Sequence, residues 1–247
     1  MVVQKIKGGS RPIIDEDSRA ILLAALSFVD AIILFPEETP LNLISNLTPD
    51  ILAKGGDYEI STVVGHELIQ KNKSYINFKN KINDNIKQNK VSVIAEIKKA
   101  SPSAGLIIEK YNPVTIAENY FKNGASCLSV LTEEKFFLGN LQHIADVKNN
   151  FKIPILCKDF FIDPFQIPLA KSFGADAILI ILSGIDNELA KDLYQTANEL
   201  NITSIVEVHT SVEAEKALNF DKAIIGINNR NLKDLKTDIK TTLQLYK

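Results

Sequence analysis

Glu96 and Lys98 stand two residues apart at the end of the apolar run VSVIAEIK, from Val91 to Lys98. In an extended strand that spacing puts both side chains on the face that Ile94 also occupies. Lys158 closes the run IPILCK, Glu207 stands beside Val208 at the end of TSIVEV, and Asn228 and Arg230 follow AIIGI at the same two-residue spacing. A charge ending an apolar strand is costly to desolvate unless it pairs or serves chemistry. Any one of these groups could simply reach solvent. Their recurrence at one end of four strands, with two same-face pairs, points instead to a shared site. Two lysines, two glutamates and an arginine, with no His or Cys cluster at ligand spacing, suit acid–base chemistry on an anionic substrate and predict no metal. Of the three histidines, His66 and His143 fall on predicted surface helices, and only His209, beside Glu207, is placed to line the site; none forms a triad by sequence.

The elements that must position these groups alternate in type. Apolar runs recur at Val91 to Lys98, Ser126 to Leu131, Ile153 to Lys158, Asp176 to Leu182, Thr203 to Val208 and Ala223 to Asn228. They are continuous rather than alternating, as parallel strands covered on both faces require. Amphipathic segments of helical length separate them, among them PVTIAENYFKNG, ELAKDLYQTANEL and SVEAEKALN. Gly124-Ala125 and Gly174-Ala175 mark two helix ends. Six such units make a parallel α/β sheet, open or curled. A TIM-type barrel is the better reading, because no dinucleotide fingerprint follows the first strand and polar residues gather at strand C-terminal ends. Ahead of the first strand, Tyr75, Phe78, Ile82 and Ile86 share a helix face, and that helix is expected to cap the barrel bottom or flank its first strand.

The whole chain fits that frame. Its 247 residues are enough for a sizeable core, with 45% apolar and 23% charged residues and a formal charge of -2. That balance gives no reason to expect nucleic acid or an anionic membrane, so the expected partner is a small molecule. Cys127 and Cys157 both sit inside apolar runs and are expected as buried, reduced thiols, which fits a cytoplasmic protein. The start, MVVQKIKGGSRP, is too polar for a signal peptide, and the stretch from Ala20 to Phe35 is interrupted by Asp30 and too short to span a bilayer.

IAEIKKASPSAG, SVLTEEKFFLG, PILCKDFFIDPFQI, VEVH and GINNRNL, in that order, resemble the signature segments of the indole-3-glycerol-phosphate synthase family over about Tyr75 to Lys247. The resemblance implies ring closure, decarboxylation and dehydration of 1-(2-carboxyphenylamino)-1-deoxyribulose 5-phosphate, a phosphorylated small molecule, without a cofactor. It implies Lys158 as the acid that protonates the ribulose carbonyl and Glu207 as the base of the dehydration. Lys98 would hold the anthranilate carboxylate or act as the acid of the dehydration, and Glu96 and Asn228 would orient Lys98 and the substrate hydroxyls. Ser101 and Arg230 would touch substrate, and Phe160 would pack on its aromatic ring. Ala104 departs from the family, where Lys is common in that loop.

Measured against that family, the expected fold is an incomplete TIM (β/α)8 barrel of six of the eight units, over residues 73–247. The loops that build the phosphate cradle of such barrels belong to the other two units, and open sheet edges invite self-association. Residues 1–72 are expected as a separate, partial nucleotidyltransferase-like α/β segment. There SRPI, the helix before VDAIILF, and LAKGGDY are similar to the adenylyltransferase half of the bifunctional heptose-phosphate kinase and adenylyltransferase. Asp30 to Phe35 and Asp50 to Gly56 are candidate strands of that segment, and Lys54-Gly55-Gly56-Asp57 reads as a turn rather than a phosphate-binding loop. Two other function classes stay open at this point: a non-catalytic chain that needs a partner to complete its barrel, and a sugar-phosphate adenylyltransferase.

Overall fold

The six apolar runs become one parallel sheet in the computed structural model. Its strands are β1 (Ile94–Ile97), β4 (Cys127–Leu131), β5 (Ile155–Lys158), β6 (Ala177–Ile181), β7 (Thr203–Val208) and β8 (Ile224–Ile227), hydrogen-bonded in that order. A short antiparallel hairpin of β2 (Ala100–Ser101) and β3 (Gly105–Leu106) rises from the end of β1. The structure describes residues 14–27, 29–47, 49, 52, 62–66, 77–231 and 236–246. By internal contacts the chain divides into two units, Met1–Lys73 and Ser74–Lys247, and the sheet belongs to the second.

The two-residue period of the strands sorts their side chains. Leu128, Val130, Ile155, Cys157, Ile178, Ile180 and Val206 face outward into the main core, against the helices that connect the strands. Cys127, Leu156, Ala177, Leu179 and Ile205 face inward and close around Phe78. Phe78 opens the helix Phe78–Lys87, whose N-cap Asn77 accepts the Asn80 N–H through Oδ1 at 2.8 Å. With Phe78 fully buried and Ile82 packed on the same cluster, that helix caps the barrel bottom. Ile86 does not share the contact and is 61% exposed. Two steps of four residues carry it about 80° around the helix from Phe78, past the barrel wall. Tyr75 lies outside the described residues.

Local signals in the sequence explain the connections. Asn112 caps the helix Pro113–Lys122, accepting the Val114 and Thr115 N–H groups through Oδ1, with Pro113 in the first turn where no donor is missed. Gly124 and Gly174 end their helices at φ +85° and +101°, the left-handed geometry that the next strand needs. At the bottom of the sheet Asp176, 1% exposed, pairs with Lys148 and accepts the Ile155 N–H at 2.8 Å, so a charged group pins a helix to two strands. Val91 to Val93 were expected within the first strand but precede it: the register with β4 begins at Ile94, and ahead of it the Val93 carbonyl accepts the Ser126 and Cys127 N–H groups.

In the first unit Asp30 to Phe35 carries no strand, and the helices among its described residues are Glu16–Ala24 and Leu41–Leu47. SRPI, Lys54 to Asp57 and most of LAKGGDY lie outside the described residues. Among the described residues, no helix is long and apolar enough to cross a membrane.

Two substitutions test this packing. Phe78→Ala empties the plug of the barrel bottom, and urea unfolding should show a loss of about 3–5 kcal/mol. Gly139, in the loop after β4, has no room for a side chain: an added Cβ would lie 2.4 Å from the Leu131 carbonyl oxygen. Gly139→Ala should therefore cost about 1–3 kcal/mol in the same measurement.

Candidate active site

Glu96, Lys158, Glu207 and Asn228 come from four different strands or strand ends, and all four line one cavity of about 490 Å³ at the C-terminal end of the sheet. Gly226, Ile227, Asn229, Arg230 and Thr237 complete the lining. Curling of the sheet is what makes this possible, since β1 and β8 are its two edges and yet both face the same space. Across the mouth, Arg230 donates from Nη1 to Ser103 Oγ at 3.4 Å, joining the loop after β8 to the loop after β1.

Strand register sets the depth of each group. Glu207 lies opposite Ile181 on one side and Gly226 on the other. Lys158 stands two strands away, and its long side chain crosses β6 to bring Nζ to 3.5 Å from Glu207 Oε2. Asn228 donates from Nδ2 to Glu207 Oε1 at 3.0 Å. Because residue 226 is glycine, the wall beside the Glu207 carboxylate carries no side chain and leaves space for a ligand. On β1, Lys98 Nζ lies 2.6 Å from Glu96 Oε1, and both side chains are about two-thirds covered. The arrangement therefore holds two Lys–Glu pairs able to donate and accept protons, and Lys98 alone of the four does not line the cavity wall.

The remaining candidates sit further out. Ser101 lies in β2, where its Oγ accepts the Ala104 N–H at 3.2 Å, and Phe160 is half-exposed on the loop after β5 with its ring centroid 6.4 Å from that of Phe137. Neither lines the cavity wall. Arg230 does, while its backbone N–H donates to Asn228 Oδ1 at 2.9 Å. Leu232 of the last signature segment lies outside the described residues.

Two groups near the site, Asn229 and Asp159, carried no obvious signal in the sequence. Asn229 accepts from both the N–H and the hydroxyl of Thr242 through Oδ1, fixing the segment after β8. Asp159, next to Lys158, accepts from Thr132 Oγ1 at 2.6 Å and from the Phe160 N–H at 2.8 Å. Burial, with Glu133 and Glu134 nearby, raises the Asp159 carboxyl above its usual range against the lowering effect of those two hydrogen bonds. His209 is 9% exposed beside Glu207. His143 is half-buried against Tyr111, at 5.2 Å between ring centroids, rather than on an open helix surface. Desolvation lowers its imidazole below the ordinary value. Cys127 and Cys157 are both free and buried, and burial pushes both thiols up to about 12, which removes them as nucleophiles.

Comparison with known proteins identifies the family. The model of the family described as Indole-3-glycerol phosphate synthase matches residues 57–247. The indole-3-glycerol phosphate synthase of Trichodesmium erythraeum is 46% identical over 156 residues, 63% of this chain and 52% of that protein. That of Acidithiobacillus ferrooxidans is 46% identical over 169 residues, 68% of this chain and 64% of its own length. That of Chlorobium chlorochromatii is 45% identical over 155 residues, 63% of this chain and 60% of the relative. The chain thus spans between 52% and 64% of the length of these relatives. The family match across residues 57–247, most of the length of the chain, shows that this chain belongs to the indole-3-glycerol phosphate synthase family.

Proposed function

We propose that the cavity closes and decarboxylates the phosphorylated substrate 1-(2-carboxyphenylamino)-1-deoxyribulose 5-phosphate to give indole-3-glycerol phosphate, carbon dioxide and water. The observation that carries this reading is the convergence of Lys158, Glu207, Glu96 and Asn228 on one cavity from separate strands. In it, the aromatic carbon attacks the ribulose carbonyl while Lys158 gives a proton to the carbonyl oxygen. The ring is then cationic, and loss of carbon dioxide returns an electron pair to it, so no cofactor has to accept electrons. Dehydration follows, with Glu207 removing a proton and an acid assisting the departing hydroxyl.

Lys98 is the second cation within reach of that chemistry. Its contact with Glu96 supports a role on the anthranilate carboxylate or as the acid of the dehydration, with Glu96 orienting it. Asn228 is already committed to Glu207 Oε1, which supports a role in holding the base and the substrate hydroxyls together. Arg230 and Ser101 are assigned to substrate contact, and Phe160, exposed above the cavity, to the aromatic ring. The same reading makes the chain a cytoplasmic biosynthetic enzyme. Self-association through the strand edges is a further part of the proposal; β1 and β8 each have one hydrogen-bonded neighbour among the described strands.

An adenylyltransferase activity in the first unit has less behind it. The family match reaches back to residue 57, into the stretch on which that reading rests.

Lys158→Ala should abolish turnover while leaving the fold intact, a loss of about 10²-fold or more if Lys158 is the general acid. His143→Ala should change turnover little, because that ring packs outside the cavity. Formation of indole-3-glycerol phosphate, followed by its absorbance and with circular dichroism as a check on folding, decides both. Equal loss from the two variants, or full turnover in Lys158→Ala, would overturn the assignment.

A further inference from the structure

Glu207 has a third neighbour that the proposed chemistry does not use. His209 follows β7 two residues after Glu207, and its ring is almost fully withdrawn from solvent. Nε2 lies 3.5 Å from Glu207 Oε1, and Nδ1 lies 3.4 Å from Glu213 Oε2 and 3.4 Å from Ser183 Oγ. Nε2 is buried and makes no hydrogen bond in this state of the protein. A buried ring nitrogen without a partner is unfavourable, and Glu207 Oε1 stands a few tenths of an ångström beyond bonding distance.

We propose that His209 is a positioning residue for Glu207: oriented by Glu213, it presents Nε2–H to Glu207 Oε1 and holds the carboxylate towards the cavity. The inference rests on Glu207 being the base, as proposed above. Glu213 is well placed to hold the ring. It lies at the start of the helix Ser211–Ala217, whose cap Thr210 accepts the Glu213 N–H through Oγ1 at 3.3 Å, while Glu213 Oε2 accepts the His209 backbone N–H at 2.8 Å. That is a variant of the capping box, in which the glutamate reaches back past the cap residue, and it locks Glu213 beside the imidazole. Each ring nitrogen therefore faces a carboxylate. A proton on Nε2 serves Glu207, one on Nδ1 serves Glu213, and the imidazolium serves both. Asn228 and Lys158 hold Glu207 from the other sides, so His209 completes the set of donors around that carboxylate.

The test compares His209→Ala with His209→Gln in steady-state kinetics, and wild type with Glu207→Gln and Glu213→Gln by 15N resonances of the His209 ring. Misplacing a catalytic group costs up to about 10²-fold. His209→Ala should accordingly lower kcat about 10- to 100-fold with KM changed less than about twofold. His209→Gln, whose amide nitrogen can reach where Nε2 stands, should recover most of the loss. Glu207→Gln should move the Nε2 resonance and Glu213→Gln that of Nδ1. Unchanged kcat in His209→Ala, or no recovery in His209→Gln, overturns the proposal while leaving the function standing. A wild-type chain that forms no product defeats the functional reading instead. The ring resonances then decide alone, and an Nε2 signal indifferent to Glu207→Gln overturns the positioning role.

Discussion

The Glu207 carboxylate, 12% exposed at the end of an apolar strand, is the constraint around which the site is built. Withdrawing such a group from water costs several kcal/mol unless charge and hydrogen bonds return the loss. Lys158 supplies the charge from β5, Asn228 the hydrogen bond from beyond β8, and the protein orders both by strand register rather than by flexible loops. The groups that stabilise the carboxylate are therefore among those that line the cavity.

Those contacts depend on the sheet being curled. In a flat sheet β1 and β8 would lie at opposite ends, and Glu96 could not share a cavity with Asn228. Phe78 plugs the narrow bottom of the curl, touching inward residues of β4 to β7. Above it the inner face changes from Cys127, Leu156 and Leu179 to Glu96, Lys158 and Glu207. The same two-residue period that buries the apolar residues below lifts the charged ones into the mouth above. Glycine has a local part in this: Gly226 leaves the wall beside Glu207 open, and Gly139 lets the loop after β4 fold down onto the Leu131 carbonyl.

Neighbouring groups tune the surroundings without entering the cavity wall. Asp159 ties the strand end of β4, through Thr132, to the loop that carries Phe160. Burial raises its carboxyl and the two thiols alike, Cys127 on the inner face of the sheet and Cys157 on the outer. The family match begins at residue 57, ahead of the second unit's first residue, Ser74.

The sequence alone determined the order and type of the elements and the residues able to do acid–base chemistry. Continuous runs of Val, Ile and Leu mark buried parallel strands whatever their neighbours, and each of the six strands of the parallel sheet lies inside its predicted run, with β7 matching at both ends, while the β2–β3 hairpin falls in none of those runs. Glu96, Lys98, Lys158, Glu207 and Asn228 stood out because charge and amide groups at apolar strand ends are physically conspicuous. The reading failed at two places: Asp30 to Phe35 has strand-like residues but forms no strand, and Ile86 rotates away from the plug. Only the tertiary structure decided which lysine meets which glutamate. Lys158 reaches Glu207 across an intervening strand, and His209 lies between Glu207 and a glutamate on the next helix. Strand stagger and curl set those distances, and neither property is written in a local stretch of residues.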